Sequence, residues 1–538
     1  MTRKKWLWAG VLVLMTAVFG VLICRADRLF YADAHTGTLG TLTRVDDAEI
    51  AERIAGRRET GMYLGGDPQQ YKDNHCRVYA DGMLAAYDAG TGTVYISESM
   101  RTVGWETALS SGEGELLIVD DPLLDDKAGA IASGRAFRVY WVSDTEYHAM
   151  NLVASGMPVM SFRAMRAQET DEGREYGATL WDTRFTGETR EFPVALRRRG
   201  ASSRDYPKGS YRMKLDGRTQ SLLGLKDSKV YVLNGLYDDA ALRHNKVGYD
   251  LWTDIESTNG DGRDSGVRGE YVEVVLDNEF VGTYLMTEKP GKRTLSLGTD
   301  DTLLMSFTWI GEEALAARLE GVDLHSFMEQ KYPDREDPEL WEFMRERFRK
   351  LLIDSPGTFE ELTETLNLEN AIDYHCFILA IEAGDNEFKN TCFVCERNAD
   401  GTLLHEIPWD LNFSFGHTYS SDPAGIHGGL LYREENITKV INGNHMLFNL
   451  TEQYPARMSE LILTRWQELR KTVLSEEHIV GMLESELAYL EGSGAYRRNY
   501  EKWTEYAEEI DPQNDVHFIR ERLPYMDACL LKAYDESH

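Results

Sequence analysis

The sequence has few cysteines for its length and contains no internal repeat or low-complexity segment. Six cysteines in 538 residues are too few for a disulfide scaffold. Cys392 and Cys395 form a CxxC pair, but the second pair that would complete a zinc site is missing. Because the residues around them predict a strand, the two thiols should lie on opposite faces of it, as core cysteines. A disulfide-stabilised fold and a zinc module are therefore both disfavoured.

The chain also has few basic residues relative to its acidic ones. The chain has 58 Lys and Arg against 90 Asp and Glu, which gives a formal net charge of -32 at pH 7. Such a surface repels a phosphate backbone, so nucleic acid is not expected as a partner. A polyphosphate ligand would need a local excess of positive charge in order to bind.

The N-terminus carries a long uncharged run. Arg3, Lys4 and Lys5 precede Trp6 to Cys24, a run long enough to span a bilayer as a helix. The basic flank should stay in the cytoplasm, so residues 1–28 are predicted to be a signal anchor of a single-pass membrane protein whose bulk is extracytoplasmic. The alternative is a secreted protein with a cleaved signal peptide, although no clear cleavage motif follows the run.

The rest of the chain predicts two parts of different character. Residues 29–154 form short alternating runs between Gly and Asp turns, which is typical of a small all-β module such as a β-sandwich. Residues 155–538 predict a β-rich lobe with one helix, about 155–290, and then a largely helical lobe, about 291–538. This α+β order is the two-lobed plan of a protein kinase. The predicted elements of the first lobe include strands Glu191 to Arg199, Ser210 to Leu215 and Lys229 to Asn234 and a helix Asp238 to Trp252.

One segment has the opposite charge to the rest of the chain. Between Arg197 and Lys214, seven basic residues accompany a single acid, Asp205. Small residues form a predicted loop between two strands there, and such a loop lets backbone N–H groups approach an anion. The segment suits a triphosphate, although a solvated basic hairpin or a patch for an anionic wall polymer fits the same residues.

A group of acidic and amide residues follows a predicted buried helix. Asp385 and Asn390 are five residues apart, the spacing of the catalytic Asp and the metal-binding Asn in the protein-kinase catalytic loop. A predicted hairpin, with strands Thr391 to Glu396 and Leu403 to Ile407, then leads to Asp410. Phosphoryl transfer needs a carboxylate to orient the attacking hydroxyl and oxygen ligands for Mg²⁺. Asp385 is predicted to take the first role, with Asn390 and Asp410 in the second; either carboxylate alone fits a turn residue equally well.

These residues lie in motifs that resemble the spore-coat protein H (CotH) kinase family. The resemblance runs from Met157 to about Gly416 and includes RGASSRDYPKGSYRMKL, YVEVVLDNEFVGTYLMTEKP, NLENAIDYHCFILAIEAGDNEFKN and IPWDLNFSFG. It implies an atypical protein-kinase fold that transfers the γ-phosphate of ATP to Ser or Thr of a protein substrate, with Mg²⁺ or Mn²⁺ as the metal.

The resemblance also implies roles for individual residues. Asp385 matches the family's catalytic Asp and Asp410 its metal-binding Asp, with Asn390 and Asn412 as further metal ligands. Residues 286–290 match a hinge that receives adenine. The implied nucleotide contacts are Arg199, Ser202, Ser203, Lys208, Lys214, Arg243 and Glu288.

Two positions depart from the family pattern. Gly384 stands where the family usually has Asn, and Asn412 stands where it usually has Asp. An amide oxygen carries less charge than a carboxylate, so Asn412 predicts a lower metal affinity. The alternative to an active kinase is therefore a catalytically inactive relative that serves as a surface or cell-envelope interaction protein. The predicted topology favours that alternative, since ATP is scarce outside the membrane.

Overall fold

The computed structural model describes residues 37–65, 74–200, 202–239, 241–259, 266–353, 356–398, 401–419, 430–503 and 511–538. The predicted signal anchor, Trp6 to Cys24, lies outside these residues. Within the described ranges, no helix is long and apolar enough to cross a membrane.

The chain divides into two compact units, each built from separated segments. The first contains the described residues up to Ala195 together with Val272–Thr283 and Glu491–Lys502. The second contains Leu196–Tyr271, Tyr284–Leu490 and Trp503–His538. The predicted domain boundary at residue 155 stays a prediction, but every candidate site residue belongs to the second unit.

The first ten strands all belong to the first unit, and most of them have five residues or fewer. They are β1 (Thr43–Val45), β2 (Arg58–Glu59), β3 (Tyr79–Ala80), β4 (Met83–Leu84), β5 (Ala86–Asp88), β6 (Thr93–Ser97), β7 (Leu109–Ser110), β8 (Glu115–Val119), β9 (Ala136–Val142) and β10 (Glu146–Ser155). One sheet has the order β1-β8-β9-β10-β6-β5, with β2 beside β10, and β4-β3-β7 form another. The larger sheet is mixed, because β1–β8, β2–β10 and β6–β10 pair in parallel.

Seven further strands close into a barrel. They are β11 (Val159–Thr170), β12 (Gly173–Asp182), β13 (Glu188–Arg199), β14 (Ser210–Leu215), β15 (Val230–Asn234), β16 (Gly269–Leu276) and β17 (Glu279–Glu288). Their order around the barrel is β11-β12-β13-β14-β15-β17-β16. Three predicted nucleotide contacts lie on these strands: Arg199 ends β13, Lys214 lies opposite Val230 on β15, and Glu288 lies opposite Tyr231.

The second unit contains a four-stranded antiparallel sheet and a hairpin. The sheet has the order β19-β18-β20-β21, from β18 (Thr302–Ser306), β19 (Met328–Tyr332), β20 (Thr391–Asn398) and β21 (Gly401–Pro408). The hairpin pairs β22 (His417–Tyr419) with β23 (Leu430–Tyr432). Cys392 and Cys395 are buried on β20 as unpaired cysteines, and the Sγ of Cys395 lies 3.5 Å from the Sδ of Met344.

The helices alternate with these strands and dominate the later half of the chain. They are α1 (Asp47–Ile54), α2 (Lys127–Ser133), α3 (His244–Ser257), α4 (Glu312–Ala316), α5 (Pro338–Leu352), α6 (Phe359–Thr363), α7 (Leu368–Ile381), α8 (Phe448–Gln453), α9 (Pro455–Leu469), α10 (Glu476–Gly492), α11 (Ala495–Lys502) and α12 (Asn514–Ser537). The mixed α and β content of the predicted fold class is confirmed.

The predicted module at residues 29–154 is rich in β-strands but is not all-β, because α1 and α2 lie among its strands. Both helices begin at an aspartate that accepts a backbone hydrogen bond: Asp46 from the amide of Glu49 at 2.8 Å, and Asp126 from that of Gly129 at 3.0 Å. Such N-caps stabilise a helix start by about 1 kcal/mol. The Asp-rich segments that suggested turns therefore also begin helices.

Helix α7 lies in the core of the second unit. Its side chains are buried nearly all round, with Phe377, Ile378 and Ile381 fully inaccessible to solvent. Each such side chain contributes about 1.5–3 kcal/mol through removal of apolar surface from water. Asn367 caps the helix by accepting a hydrogen bond from the amide of Asn370 at 3.1 Å. The helix thus gives a rigid support for the residues that follow its C-terminus.

Candidate active site

Asp385 lies in a short turn directly after α7. The helix ends at Ile381, and Glu382 then takes a left-handed conformation with a φ of 54°. The amide of Ala383 donates to the carbonyl of Ile378 at 3.0 Å, which closes the helix end. Gly384–Asn386 follows as a single 3-10 turn that carries Asp385.

The buried side chain of Asn386 connects this turn to the rest of the site. Its amide nitrogen donates to the carbonyl oxygens of Asn390 and Trp409, at 3.2 and 2.9 Å. The antiparallel register of β20 and β21 places Thr391 opposite Pro408, so the residues before one strand and after the other are neighbours. The amide of Trp409 accordingly donates to the carbonyl of Asn390 at 2.9 Å.

The carboxylate of Asp385 is contacted by two side chains from its own loop. Its Oδ2 accepts hydrogen bonds from Lys389 Nζ at 2.5 Å and from Asn390 Nδ2 at 3.0 Å. The side chain of Asp385 remains 25% exposed. The predicted catalytic Asp and the predicted metal-binding Asn therefore touch each other, and a lysine that the sequence did not single out completes the group.

Asn390 and Asp410 share an unusual backbone conformation. Their φ angles are 56° and 57°, in the left-handed region that few residues other than glycine adopt. The amide of Asp410 donates to the phenol oxygen of the buried Tyr249 at 3.1 Å, which helps to hold this conformation. Strained residues of this kind concentrate at functional sites.

The charges around Asp410 come from both predicted segments. Burial raises the pKa of Asp410, Arg199 and Lys389 oppose this rise, and the negative charge of Asp385 adds to it. The guanidinium of Arg199 also lies 5.8 Å from the centroid of the Trp409 ring. Arg199, a residue of the basic segment, is thus close enough to Asp410 to oppose the rise of its pKa.

A third carboxylate, Asp238, belongs to the same site, although the sequence motifs did not predict it. It lies in the loop before α3 and accepts a hydrogen bond from Asn412 Nδ2 at 2.6 Å. Burial and the charge of Asp410 raise the pKa of Asp238 to about 7. The sequence does show two consecutive aspartates, Asp238 and Asp239, where a helix was predicted to begin. Aspartates at that position can equally well be helix-capping residues, so they did not indicate a site. Asp239 does accept a hydrogen bond from the first helical amide, that of His244, at 2.9 Å.

These oxygen donors fit a hard divalent cation. Carboxylates of Asp410 and Asp238 and amide oxygens of Asn390 and Asn412 are the ligand types that Mg²⁺ and Mn²⁺ prefer. The raised pKa values of Asp238 and Asp410 also indicate crowded negative charge in buried surroundings. A bound cation would relieve this cost, so the residues present fit the metal that the sequence predicted.

The loop between β13 and β14 is compact. Gly200, whose φ is 121°, precedes a 3-10 turn formed by Ser202–Asp205. A side chain at Gly200 would collide with the hydroxyl of Ser203, so this close approach requires glycine. Lys208 is buried after this turn, with Nζ 4.9 Å from the ring centroid of Tyr284 on β17.

Glu288 is held at the end of β17 by backbone amides. It accepts hydrogen bonds from the amides of Lys226 at 2.7 Å and Arg268 at 3.3 Å, and burial raises its pKa. These contacts join the end of β17 to the segments that precede β15 and β16. The predicted nucleotide contacts of Ser202, Ser203, Lys208, Lys214 and Glu288 stay predictions.

Arg243 was expected to contact the nucleotide, but its side chain is buried among other residues of the chain. Its side chain is 1% exposed, and Nε and Nη2 lie 2.8 and 2.7 Å from Asp515 Oδ2. It also donates to the carbonyls of Leu483, at 3.2 Å, and Pro512. A buried guanidinium needs partners for its donors, and here the chain itself supplies them. Arg243 is therefore a structural residue, a correction that the sequence could not anticipate because Asp515 lies 272 positions away.

Glu406 lies on β21, the strand that leads to Asp410, and its buried carboxyl predicts how the stability of the protein depends on pH. It is buried, accepts a hydrogen bond from Asn444 Nδ2 at 2.6 Å, and has a pKa that burial raises from 4.5 to about 8. The folded state therefore retains a proton that the unfolded state loses, and stability falls as pH rises from 4.5 to about 8. We expect Glu406→Gln to remove this loss, so that the variant gains stability over wild type at pH 8 but not at pH 4.5.

Urea unfolding at several pH values checks this expectation. Glu329→Gln serves as the control, because the Glu329 side chain on β19 of the same sheet is 63% exposed and should show no such gain. An equal pH dependence of Glu406→Gln and wild type would contradict the assignment of a buried neutral carboxyl to this strand.

A comparison with protein-family models matches residues 196–526 to the model described as CotH kinase protein. The match covers more than half of the chain and begins at Leu196, where the second compact unit begins. It includes every candidate residue from Arg199 to Asn412. A search of curated proteins finds no match to the chain.

Proposed function

The chain belongs to the CotH kinase family, and from that premise we propose that it is an atypical protein kinase that transfers the γ-phosphate of ATP to a Ser or Thr hydroxyl of a protein substrate. The observation that carries the proposal is that Asp410, which follows β21, meets the loop that holds Asp385 and Asn390, so that the three form one group. Phosphoryl transfer requires positioning and charge stabilisation more than covalent chemistry, and this group can supply both.

Asp385 is proposed to orient the attacking hydroxyl and to accept its proton. Its partial exposure leaves the carboxylate accessible to a substrate, while the hydrogen bond from Asn390 fixes its orientation. Lys389 lies 2.5 Å from the same carboxylate oxygen. Its positive charge would therefore be close to the phosphate oxygens during transfer.

Asp410, Asn390, Asn412 and Asp238 are proposed to hold Mg²⁺ or Mn²⁺. When bound, such an ion neutralises the charge of the phosphates. Arg199 would contact the phosphate oxygens, because its charge acts on Asp410 from the end of β13. The proposed nucleotide contacts are Ser202, Ser203, Lys208, Lys214 and, at the hinge, Glu288.

Thermal unfolding with and without nucleotide tests whether this site binds Mg²⁺-ATP. We expect Mg²⁺-ATP to raise the melting temperature of the full-length protein, and ATP in the presence of a chelator to have little effect. Asp410→Asn should lose the stabilisation, because it removes a proposed metal ligand. If wild type and Asp410→Asn respond equally, the nucleotide binds elsewhere and the proposed site is contradicted.

The hydrogen bond between Asn412 and Asp238 predicts how stability changes when Asn412 is replaced by the aspartate that the family usually has. Asn412→Asp restores the family's usual residue, but it places two carboxylates 2.6 Å apart where a hydrogen bond was. We expect a loss of about 1–3 kcal/mol in the free energy of unfolding without metal. We also expect a larger stabilisation by Mg²⁺ than in wild type, since a cation neutralises both charges.

The exchange variant that combines Asp238→Asn with Asn412→Asp is the matched control. It keeps the number of charges and allows the hydrogen bond to form in the reverse direction. Denaturation in EDTA and in millimolar Mg²⁺ should therefore give values near wild type for the double variant. A single variant Asn412→Asp that is as stable in EDTA as wild type would show that Asp238 and residue 412 do not interact.

We propose that the kinase unit acts outside the cytoplasm on a protein substrate. The support is the uncharged run Trp6 to Cys24 after a basic flank, which fits an anchor with its N-terminus inside. A catalytically inactive surface or cell-envelope interaction protein with the same fold is the alternative function, and it predicts that no phosphorylated product forms.

A further inference from the structure

Beside Arg243, three buried side chains from distant segments point to a second kind of metal site. His244 begins α3, His417 begins β22, and Asp515 lies in the first turn of α12. Their side chains are 0%, 8% and 1% exposed. One ligand atom from each lies within 4.8 Å of the others. The three segments therefore bring two imidazoles and a carboxylate together away from solvent.

The hydrogen bonds around this cluster orient its ligand atoms. His244 Nδ1 lies 3.1 Å from the carbonyl oxygen of Asn412 and 3.2 Å from Asp239 Oδ1, so this nitrogen carries the proton. In a neutral ring, His244 Nε2 then offers a lone pair towards Asp515 Oδ1, which lies 3.3 Å away. Arg243 occupies the other oxygen of Asp515. Two acceptors thus face each other, and a cation belongs between them.

The local charge leads to the same conclusion. Asp239 and Asp515 carry two negative charges, whereas Arg243 supplies one positive charge. With neutral imidazoles the buried cluster therefore has a net charge of about -1, which is costly in a low dielectric. Either a proton or a metal ion can balance it.

The spacing of the ligand atoms also fits a metal ion. His244 Nε2 and Asp515 Oδ1 lie 3.3 Å apart. Bonds of about 2.0–2.2 Å to a tetrahedral Zn²⁺ place two ligand atoms about 3.3–3.6 Å apart. His417 Nδ1 lies 3.6 Å from Asp515 Oδ1 and 3.2 Å from the carbonyl oxygen of Phe415, so a neutral His417 ring carries its proton on Nδ1 and its lone pair on Nε2.

We propose that His244, His417 and Asp515 bind a divalent transition-metal ion, with Zn²⁺ the best fit. Imidazole ligands distinguish this site from the oxygen-only group around Asp410, which suits Mg²⁺. Asn412 O, Asp239 and Arg243 form the outer partners that hold metal ligands in place. The ion would fasten α3 and α12 to the segment that follows Asp410. This inference does not depend on kinase activity.

Metal titration of the full-length protein tests the proposal. After treatment with a chelator, the protein is titrated with Zn²⁺, and Co²⁺ serves as a spectroscopic probe because tetrahedral sites absorb strongly in the visible range. We expect about one tightly bound Zn²⁺ per chain and a tetrahedral Co²⁺ spectrum that Zn²⁺ displaces. Binding should persist in Asp410→Asn, which separates this site from the proposed Mg²⁺ site.

Two ligand-shell variants and one control complete the test. His417→Gln should weaken Zn²⁺ binding by more than about 100-fold, and Asp239→Asn, which keeps the shape of an outer partner, by about 10–100-fold. His517→Gln is the matched control, because His517 lies on α12 close to Asp515 but its side chain is 48% exposed. Asp239→Asn keeps the test decisive where His417→Gln does not fold.

Three results would overturn the proposal. One is a wild-type chain that binds no Zn²⁺ in the micromolar range, which leaves a proton as the cation between His244 and Asp515. Another is tight binding that survives both His417→Gln and Asp239→Asn. The third is binding that is lost in Asp410→Asn, since it would place the ion at the oxygen-only site.

Discussion

Asp385→Asn is expected to abolish phosphoryl transfer while it leaves Mg²⁺-ATP binding nearly unchanged. The amide keeps the size of the side chain, but it cannot accept a proton from the attacking hydroxyl. General bases contribute about 10²–10⁴-fold to rate, so we expect kcat to fall by that factor. Initial rates with labelled ATP, together with nucleotide affinity from calorimetry, measure the two properties separately.

Two variants make the Asp385→Asn result interpretable. Asp410→Asn should lose binding as well as transfer, because it removes a proposed metal ligand. Asp535→Asn, at an exposed position of α12 outside the site, should match wild type in both. A rate for Asp385→Asn within a few-fold of wild type would show that Asp385 is not the proton acceptor.

Arg243→Ala is expected to reduce the free energy of unfolding by about 3–5 kcal/mol. The substitution leaves the carboxylate of Asp515 buried without the guanidinium that lies 2.7 Å away. It also leaves the carbonyl of Leu483 without its donor. Urea unfolding in the presence of EDTA measures the loss, so that no metal ion compensates for the missing charge.

A surface ion pair provides the comparison for Arg243. Lys532 and Glu536 form a pair on α12 with side chains 74% and 68% exposed. Lys532→Ala should change stability by only about 0–1 kcal/mol, because exposed pairs are solvated and screened. A loss below about 1 kcal/mol in Arg243→Ala would contradict the structural role given to this residue and would reopen its assignment to the nucleotide.

The sequence predicted those parts of the site that depend on neighbouring residues. The hairpin predicted at Thr391 to Glu396 and Leu403 to Ile407 is present as Thr391–Asn398 and Gly401–Pro408. The short connection between the two strands specifies the register that places Asn390 beside Trp409. Asp385 and Asn390 share one loop, so their contact also depends on local structure alone.

The sequence did not predict contacts between distant segments. The helix predicted from Asp238 begins at His244, because Leu242 takes a left-handed conformation with a φ of 61° and Asp239 accepts a hydrogen bond from the amide of His244. Asp238 therefore remains in a loop, free to meet Asn412. Pairings of this kind depend on tertiary packing, which residue periodicity does not encode.

The most direct test of the proposed kinase is transfer of the labelled γ-phosphate of ATP to the full-length protein or to a Ser- and Thr-containing test protein. The account predicts label that requires Mg²⁺ or Mn²⁺, that is recovered as phosphoserine or phosphothreonine, and that is absent in Asp385→Asn and Asp410→Asn. No metal-dependent label, or label that both variants retain, would contradict it.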